Sequence, residues 1–256
     1  MNRAFAFTAN IKTAATSMRL PTIVVGMIFS VWMGTAQTVV NSKHDLSTGN
    51  TGTTQWQSTN ESQVCIFCHT PHKSIPGVKP LWNKSLPSNT TFSVYSSPTL
   101  DATPNPNLAG SYSLLCLSCH DGVTAMNALV NTSTVGQPAM AGNYTKLGQV
   151  YYPGSIFAEF PGANIGEGYG GVISNNLSND HPINFVYDPA HPDVTKGTLH
   201  NPDTQPSGIG GTVSQKMLYD HVLECSSCHN PHNPTHAPFL KKSNSNSSLC
   251  LTCHNK

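Results

Sequence analysis

The stretch "CIFCHTPH" occupies residues 65–72, and "CSSCHNPH" repeats its outline at 225–232. Each has two cysteines three apart, a histidine directly after the second, and another histidine three further on. All eight cysteines of the chain fall in four such Cys-x-x-Cys-His frames: Cys65, Cys68 and His69; Cys116, Cys119 and His120; Cys225, Cys228 and His229; Cys250, Cys253 and His254. On one helical turn, residues i and i+3 share a face. Two thiols placed in this way reach the two vinyl groups of one porphyrin, and the histidine at i+4 passes under the ring to the iron. Four disulfides would give no reason for a histidine after every second cysteine. Paired-cysteine zinc sites do not require that histidine either. The frames therefore read as sites for four covalently bound haem c groups, each with its iron.

Haems also answer a difficulty posed by the composition. Charged residues make up only 10% of the chain, while 20 glycines and 19 prolines accompany abundant Asn, Ser and Thr. Such a chain makes many turns and few long amphipathic helices, and on its own it builds a poor core. Four macrocycles supply the missing apolar bulk, so folding is expected to be coupled to their attachment and the haem-free chain to be largely disordered. The expected fold is a mostly irregular, loop-rich multihaem c-type cytochrome with short helices at the haem-binding frames and little strand. The clearest helical signal is "LLCLSCHDGVTAMNALV" at 114–130.

The first 36 residues read as a secretory signal. Arg3, Lys12 and Arg19 are the only charges before Lys43, and an apolar run from Leu20 leads to small residues at Gly34-Thr35-Ala36. The run is too short to span a bilayer comfortably, so export without stable membrane insertion is expected. The expected location is extracellular or at the cell surface, and at minimum periplasmic. The mature part, 37–256, has 10 lysines against 12 acidic residues, which is not a nucleic-acid footprint. Two dihaem modules are expected, at 37–130 and 181–256, joined by a connecting segment at 131–180. That segment includes a stretch at 142–174 rich in Gly and aromatics and free of Cys and His. The first cysteines of the paired frames are 51 residues apart in the first module (65 to 116) and 25 in the second (225 to 250), so no solenoid period exists.

Each iron needs a sixth ligand or an open face. Apart from the frame histidines the chain has eight: His44, His72, His181, His191, His200, His221, His232 and His236. The mature part offers only Met126, Met140 and Met217, fewer than the irons, so histidine on both faces is favoured, with lower potentials than His/Met ligation. His72 and His232 sit three residues after a frame histidine and cannot swing to the far side of the same porphyrin. Each projects from its turn towards a neighbouring ring, and so ties two haems together. His44, in "NSKHDLS", and His181, in "SNDHPINF", flank apolar or capping residues that can fix an imidazole. His191, His200, His221 and His236 are the reserves.

The segments "SKHDLS", "CIFCHTPH", "DHPINFVYD", "CSSCHNPH" and "LCLTCH" resemble the doubled Cys-x-x-Cys-His cytochromes. In haem number, order and length, the chain resembles the tetrahaem extracellular cytochrome filaments of metal-reducing bacteria, the OmcE type. The similarity covers roughly 40–130 and 175–256, and "HDLS" together with "DHPI" is its most specific part. The resemblance implies bis-histidine haems in alternating parallel and T-shaped contacts, and head-to-tail polymers of the chain that carry electrons outside the cell. It supports His44, His72, His181 and His232 as distal ligands. The leading expectation is thus an electron conductor with no catalytic residue, exchanging electrons with periplasmic or outer-membrane cytochromes and with external metal oxides or other acceptors. A multihaem reductase of oxyanions and a soluble periplasmic shuttle are the alternatives. A histidine that crosses the subunit boundary is part of the resemblance, with His72 and His44 as candidates.

Overall fold

A computed structural model describes residues 39–52, 56–78, 80–121, 124–141, 149–150, 158–159 and 176–256. The chain separates into Met1–Ala36 and Gln37–Lys256, and all the described residues belong to the second part. The leader at 1–36 and nearly all of the stretch at 142–174 lie outside the described residues.

Regular structure is sparse and short, as the turn-rich composition dictates. Among the described residues there are six two-residue strands: β1 (Ser93–Val94), β2 (Gln149–Val150), β3 (Ala158–Glu159), β4 (Asn176–Leu177), β5 (Phe185–Val186) and β6 (Val222–Leu223). They pair as β1 with β4 in parallel, and as β2 with β3 and β5 with β6 antiparallel. The helices are α1 (Ser113–His120), α2 (Pro192–Thr195), α3 (Val213–Lys216) and α4 (Cys225–Cys228), with 3-10 turns at Cys65–Phe67, Ser245–Ser247 and Cys250–Thr252. Every Cys-x-x-Cys-His frame therefore begins on or lies in a helical turn, and the rest of the described residues form turns, isolated bridges and loops.

Helix α1 stops at His120, well short of the 114–130 signal. The reason is local. The Asp121 carboxylate accepts the backbone N–H of Thr124 at 2.7 Å and the Thr124 hydroxyl at 2.6 Å, which offers the chain a turn in place of the next helical bonds.

The core is three small apolar clusters beside the frames. Phe67, Met126 and Met140 pack with Cys68 and Cys119. Phe92, Leu108, Leu114, Leu117 and Leu177 pack around α1. Tyr187, Val213, Met217, Leu223 and Leu249, with Phe185 and Leu218, pack with Cys228 and Cys253. All three methionines of the mature part are thus core side chains, each at most 5% exposed.

Between the clusters, side chains of Asn, Asp and Ser replace the ladders of a sheet. In the loop around His44, buried Asp45 accepts from the backbone N–H of Asn41 at 2.9 Å and from the Ser47 hydroxyl at 2.6 Å. The Asn50 amide donates to the carbonyls of Ser42 and Asp45. Gly52 completes the loop, because a Cβ there would stand 2.2 Å from the Asn41 carbonyl oxygen. The "HDLS" motif is therefore a rigid mount for the imidazole that precedes Asp45.

Candidate metal centres

In three frames the backbone N–H of the histidine donates to the carbonyl of the first cysteine, at 2.8 Å for His69, 3.1 Å for His229 and 2.9 Å for His254. The fourth frame lies within α1. One turn thus carries both thiols and the imidazole in each case. All eight cysteines are free thiols, and burial pushes Cys68 and Cys253 up to about 12 and Cys228 up to about 11.

After the first and third frames the chain doubles back in the same way. Thr70 N–H donates to the Leu81 carbonyl at 3.0 Å and Asn83 N–H to that of Cys68 at 2.9 Å; Asn230 N–H donates to Phe239 at 2.7 Å and Lys241 N–H to Cys228 at 2.8 Å. Leu81 and Phe239 take positive φ, 58° and 62°. That rotation sets the orientation of the preceding proline carbonyl. His69 Nδ1–H donates to the Pro80 oxygen at 2.8 Å, and His229 Nδ1–H to that of Pro238 at 3.0 Å. The pair "PLWNK" at 80–84 and "PFLKK" at 238–242 is an internal repeat that spacing of the cysteines does not reveal.

A carbonyl only accepts, so the nitrogen that faces it carries the proton and Nε2 keeps a lone pair for a metal. His44 and His181 have the same arrangement, their Nδ1 atoms 3.3 Å and 2.8 Å from the carbonyl oxygens of Pro231 and Pro182. The reserves differ. His191 Nδ1 accepts the Asp193 N–H at 3.2 Å, which leaves the proton on Nε2. His221 Nε2 is 2.8 Å from the Asp203 carboxylate. In both, the proton sits on Nε2, so the Nε2 lone pair offered by the four rings above is missing.

Three frame histidines each face one of the four histidines singled out in the sequence. The ring centres of His69 and His232 are 6.0 Å apart, with planes 18° from parallel. His120 and His44 are 6.2 Å apart, as are His254 and His181, with planes at 88° and 76°. His200 and His236 take no part in these pairs. A metal lies about 2.0 Å from an imidazole nitrogen and the ring centre about 1.1 Å beyond, so two rings ligating one iron sit about 6 Å apart. Rotation about the ligand axis leaves that separation unchanged. Burial, and then the facing imidazole of His120, lower the pKa of His44 to about 4. Burial and the facing ring also lower His232 and His254. Each is held neutral, the form that binds a metal.

Among the described residues, His229 makes no such pair. His72 is exposed, its main-chain carbonyl accepting from Thr70 and Asn131, and it too faces no ring.

The environment fits a macrocycle. A cavity of about 260 Å³ lies against the first frame, lined by Cys65, Ile66, His69, Thr70, Asn131 and Ser133 among others. Four buried donors, the indole N–H groups of Trp56 and Trp82, His191 Nε2 and the Ser226 hydroxyl, meet no acceptor among the described residues. A porphyrin brings two carboxylates. Among the described residues no three His, Cys, Asp or Glu side chains gather into a site for a bare ion, whereas two axial imidazoles suffice for a metal already held by four pyrrole nitrogens.

The frames are contiguous in space and follow sequence order. Cys68 and Cys119 pack on one apolar cluster, the Ser113 hydroxyl oxygen of α1 accepts the Cys225 N–H at 2.9 Å, and Cys228 and Cys253 pack on another cluster.

The family model described as "Doubled CXXCH motif" matches residues 221–256, which hold the third and fourth frames. No curated protein matches the chain. The match indicates covalently bound haem c with iron and suggests a c-type cytochrome and electron transfer.

Proposed function

We propose that the chain carries four haem c groups, each with imidazole on both faces, and relays single electrons along them as one subunit of an extracellular conducting filament. The observation that carries this reading is the trio of imidazole pairs, each joining a frame histidine to a distant one at the spacing of a shared metal. His232 serves the first iron, His44 the second and His181 the fourth. Haem iron supplies a reversible one-electron couple, while the chain fixes the imidazoles, excludes water and sets the spacing between centres.

His44 is taken up within its own chain, so of the two candidates for ligation across a subunit boundary His72 is the one left over. His229 is the frame histidine left over. Since His72 stands to the first frame as His232 stands to the third, His72 of one copy is paired with His229 of another. Such a heterologous contact does not close on itself and propagates head to tail. Export, the two dihaem modules and exchange of electrons with other cytochromes and external acceptors belong to the same reading. No helix among the described residues is long and apolar enough to cross a membrane.

The unpaired His229 also favours a second reading, a reductase with one open iron. Mass spectrometry and electron microscopy of the secreted protein separate the two. Four haem additions, no free thiol and filaments whose irons are all low-spin support the proposal. Fewer haems, or filaments absent and one iron persistently high-spin, would overturn it, the latter in favour of the reductase.

A further inference from the structure

The junction between the first and second frames encloses a buried cation, and the junction between the second and third encloses a buried anion. Lys84 is 0% exposed, and its ammonium donates to the Ala125 carbonyl. Burial raises the Cys68 and Cys119 thiols, one from each frame, and the Lys84 charge opposes the rise in both. Glu224 is 3% exposed. Its carboxylate accepts the Ser113 N–H at 3.1 Å and the Ser113 hydroxyl, and that hydroxyl oxygen accepts the Cys225 N–H at 2.9 Å. It therefore pins α1 to α4, and its charge acts on the thiols of Cys116 and Cys225. Neither Lys84 nor Glu224 has an ion-pair partner among the described residues.

Charges shielded from water act over longer distances than surface charges and are weakly screened by salt. Reduction of an iron removes one positive charge, so a fixed ammonium nearby favours the reduced state and a fixed carboxylate the oxidised state. Resting on the reading that each frame holds a haem, we propose that Lys84 and Glu224 are opposed electrostatic tuning residues. Lys84 raises the potentials of the haems on the first and second frames, and Glu224 lowers those on the second and third. On the second frame the two effects oppose each other; the first and third are drawn apart. Asp121 at Cys119 and Asp180 at Cys225 add negative charge at the same junctions, so the effects are read as differences on substitution rather than as absolute potentials.

Potentiometric titration of the purified protein, fitted to four one-electron steps, tests this. Lys84→Met should move two steps downward and Glu224→Gln two steps upward, each by roughly tenfold in the reduction equilibrium constant, or about 59 mV. Lys84→Arg should restore the original values. Haem number by mass spectrometry and spin state by magnetic resonance are measured on the same samples. Four low-spin haems with unmoved potentials, or shifts of the opposite sign, overturn the inference while leaving the haem reading intact. Fewer than four haems in the unmodified protein would instead sink the haem reading. Loss of haem from both Lys84→Met and Glu224→Gln also overturns the inference, since the two residues would then be structural.

Discussion

His232 faces His69 across 6.0 Å although it belongs to the turn that follows the third frame, at the other end of the chain. On the proposed reading, a histidine anchored beside one attachment turn completes the coordination offered by another. His232→Ala should leave all four covalent attachments in place and convert one iron to high spin. His191→Ala, which removes a buried imidazole of the other tautomer, should not alter the spin state. Magnetic resonance on both ferric proteins checks the contrast, and a fully low-spin His232→Ala would contradict the pairing.

His72→Ala is expected to keep four haems and yield monomers with one high-spin iron, the one attached to the third frame. The readouts are haem mass, spin state and electron microscopy of the secreted fraction. Filaments of normal appearance with every iron low-spin would remove His72 from the interface. The stretch at 151–160, nearly all of it outside the described residues, would then be the place to look.

The pH dependence has a definite sign. The pKa of His44 is lowered in the folded chain to about 4 from the ordinary 6.5. A group lowered on folding contributes stability above its unfolded value, and that contribution is lost as pH falls towards the folded one. The His44 ring should therefore remain neutral and bound from pH 6.5 down to about 4, and bound iron only extends that range. Optical titration should show no growth of high-spin absorbance across this window. A transition centred near pH 6.5 would mean that the ring is exposed and unligated.

Asn83 is fully buried and ties the first attachment turn to the return segment. Its amide donates to the carbonyls of Ile66 at 2.7 Å and Asn131 at 2.9 Å, and its oxygen accepts the Asn131 N–H at 2.8 Å. Asn83→Ala strands these backbone groups and should lower the unfolding free energy by about 2–4 kcal/mol. Denaturant titration of the haem-loaded protein measures it. A loss below about 0.5 kcal/mol, the usual range for surface changes, would show that water replaces the amide.

The attachment sites were legible because their chemistry is local. Two thiols and an imidazole must ride on one turn, and that demand is written as a fixed spacing. The loop-rich architecture was legible for a related reason, since a chain so rich in Gly, Pro, Asn and Ser has few other options. Pairing was less accessible. His44 meets His120 through a loop held by Asp45 and Asn50, and nothing in the spacing of those residues states which frame the loop will face. The exclusion of His191 and His221 rests on which ring nitrogen is occupied, a property of folded neighbours. The extent of α1 was overestimated because the apolar pattern continues past Asp121, while the side chain of that residue diverts the backbone. The repeated return segments beginning at Pro80 and Pro238 were present in the sequence, but they bear no cysteine and were overshadowed by those that do.

The hydrogen bond from Cys225 to Ser113 joins residues separated by 112 positions of chain, including the stretch at 142–174. Distance along the chain and distance between neighbouring frames are therefore independent quantities in this molecule. The attachment turns abut through Ser113 and Glu224, two residues far apart in the sequence. On the proposed reading, electrons cross from the second frame to the third at that joint without following the chain between them.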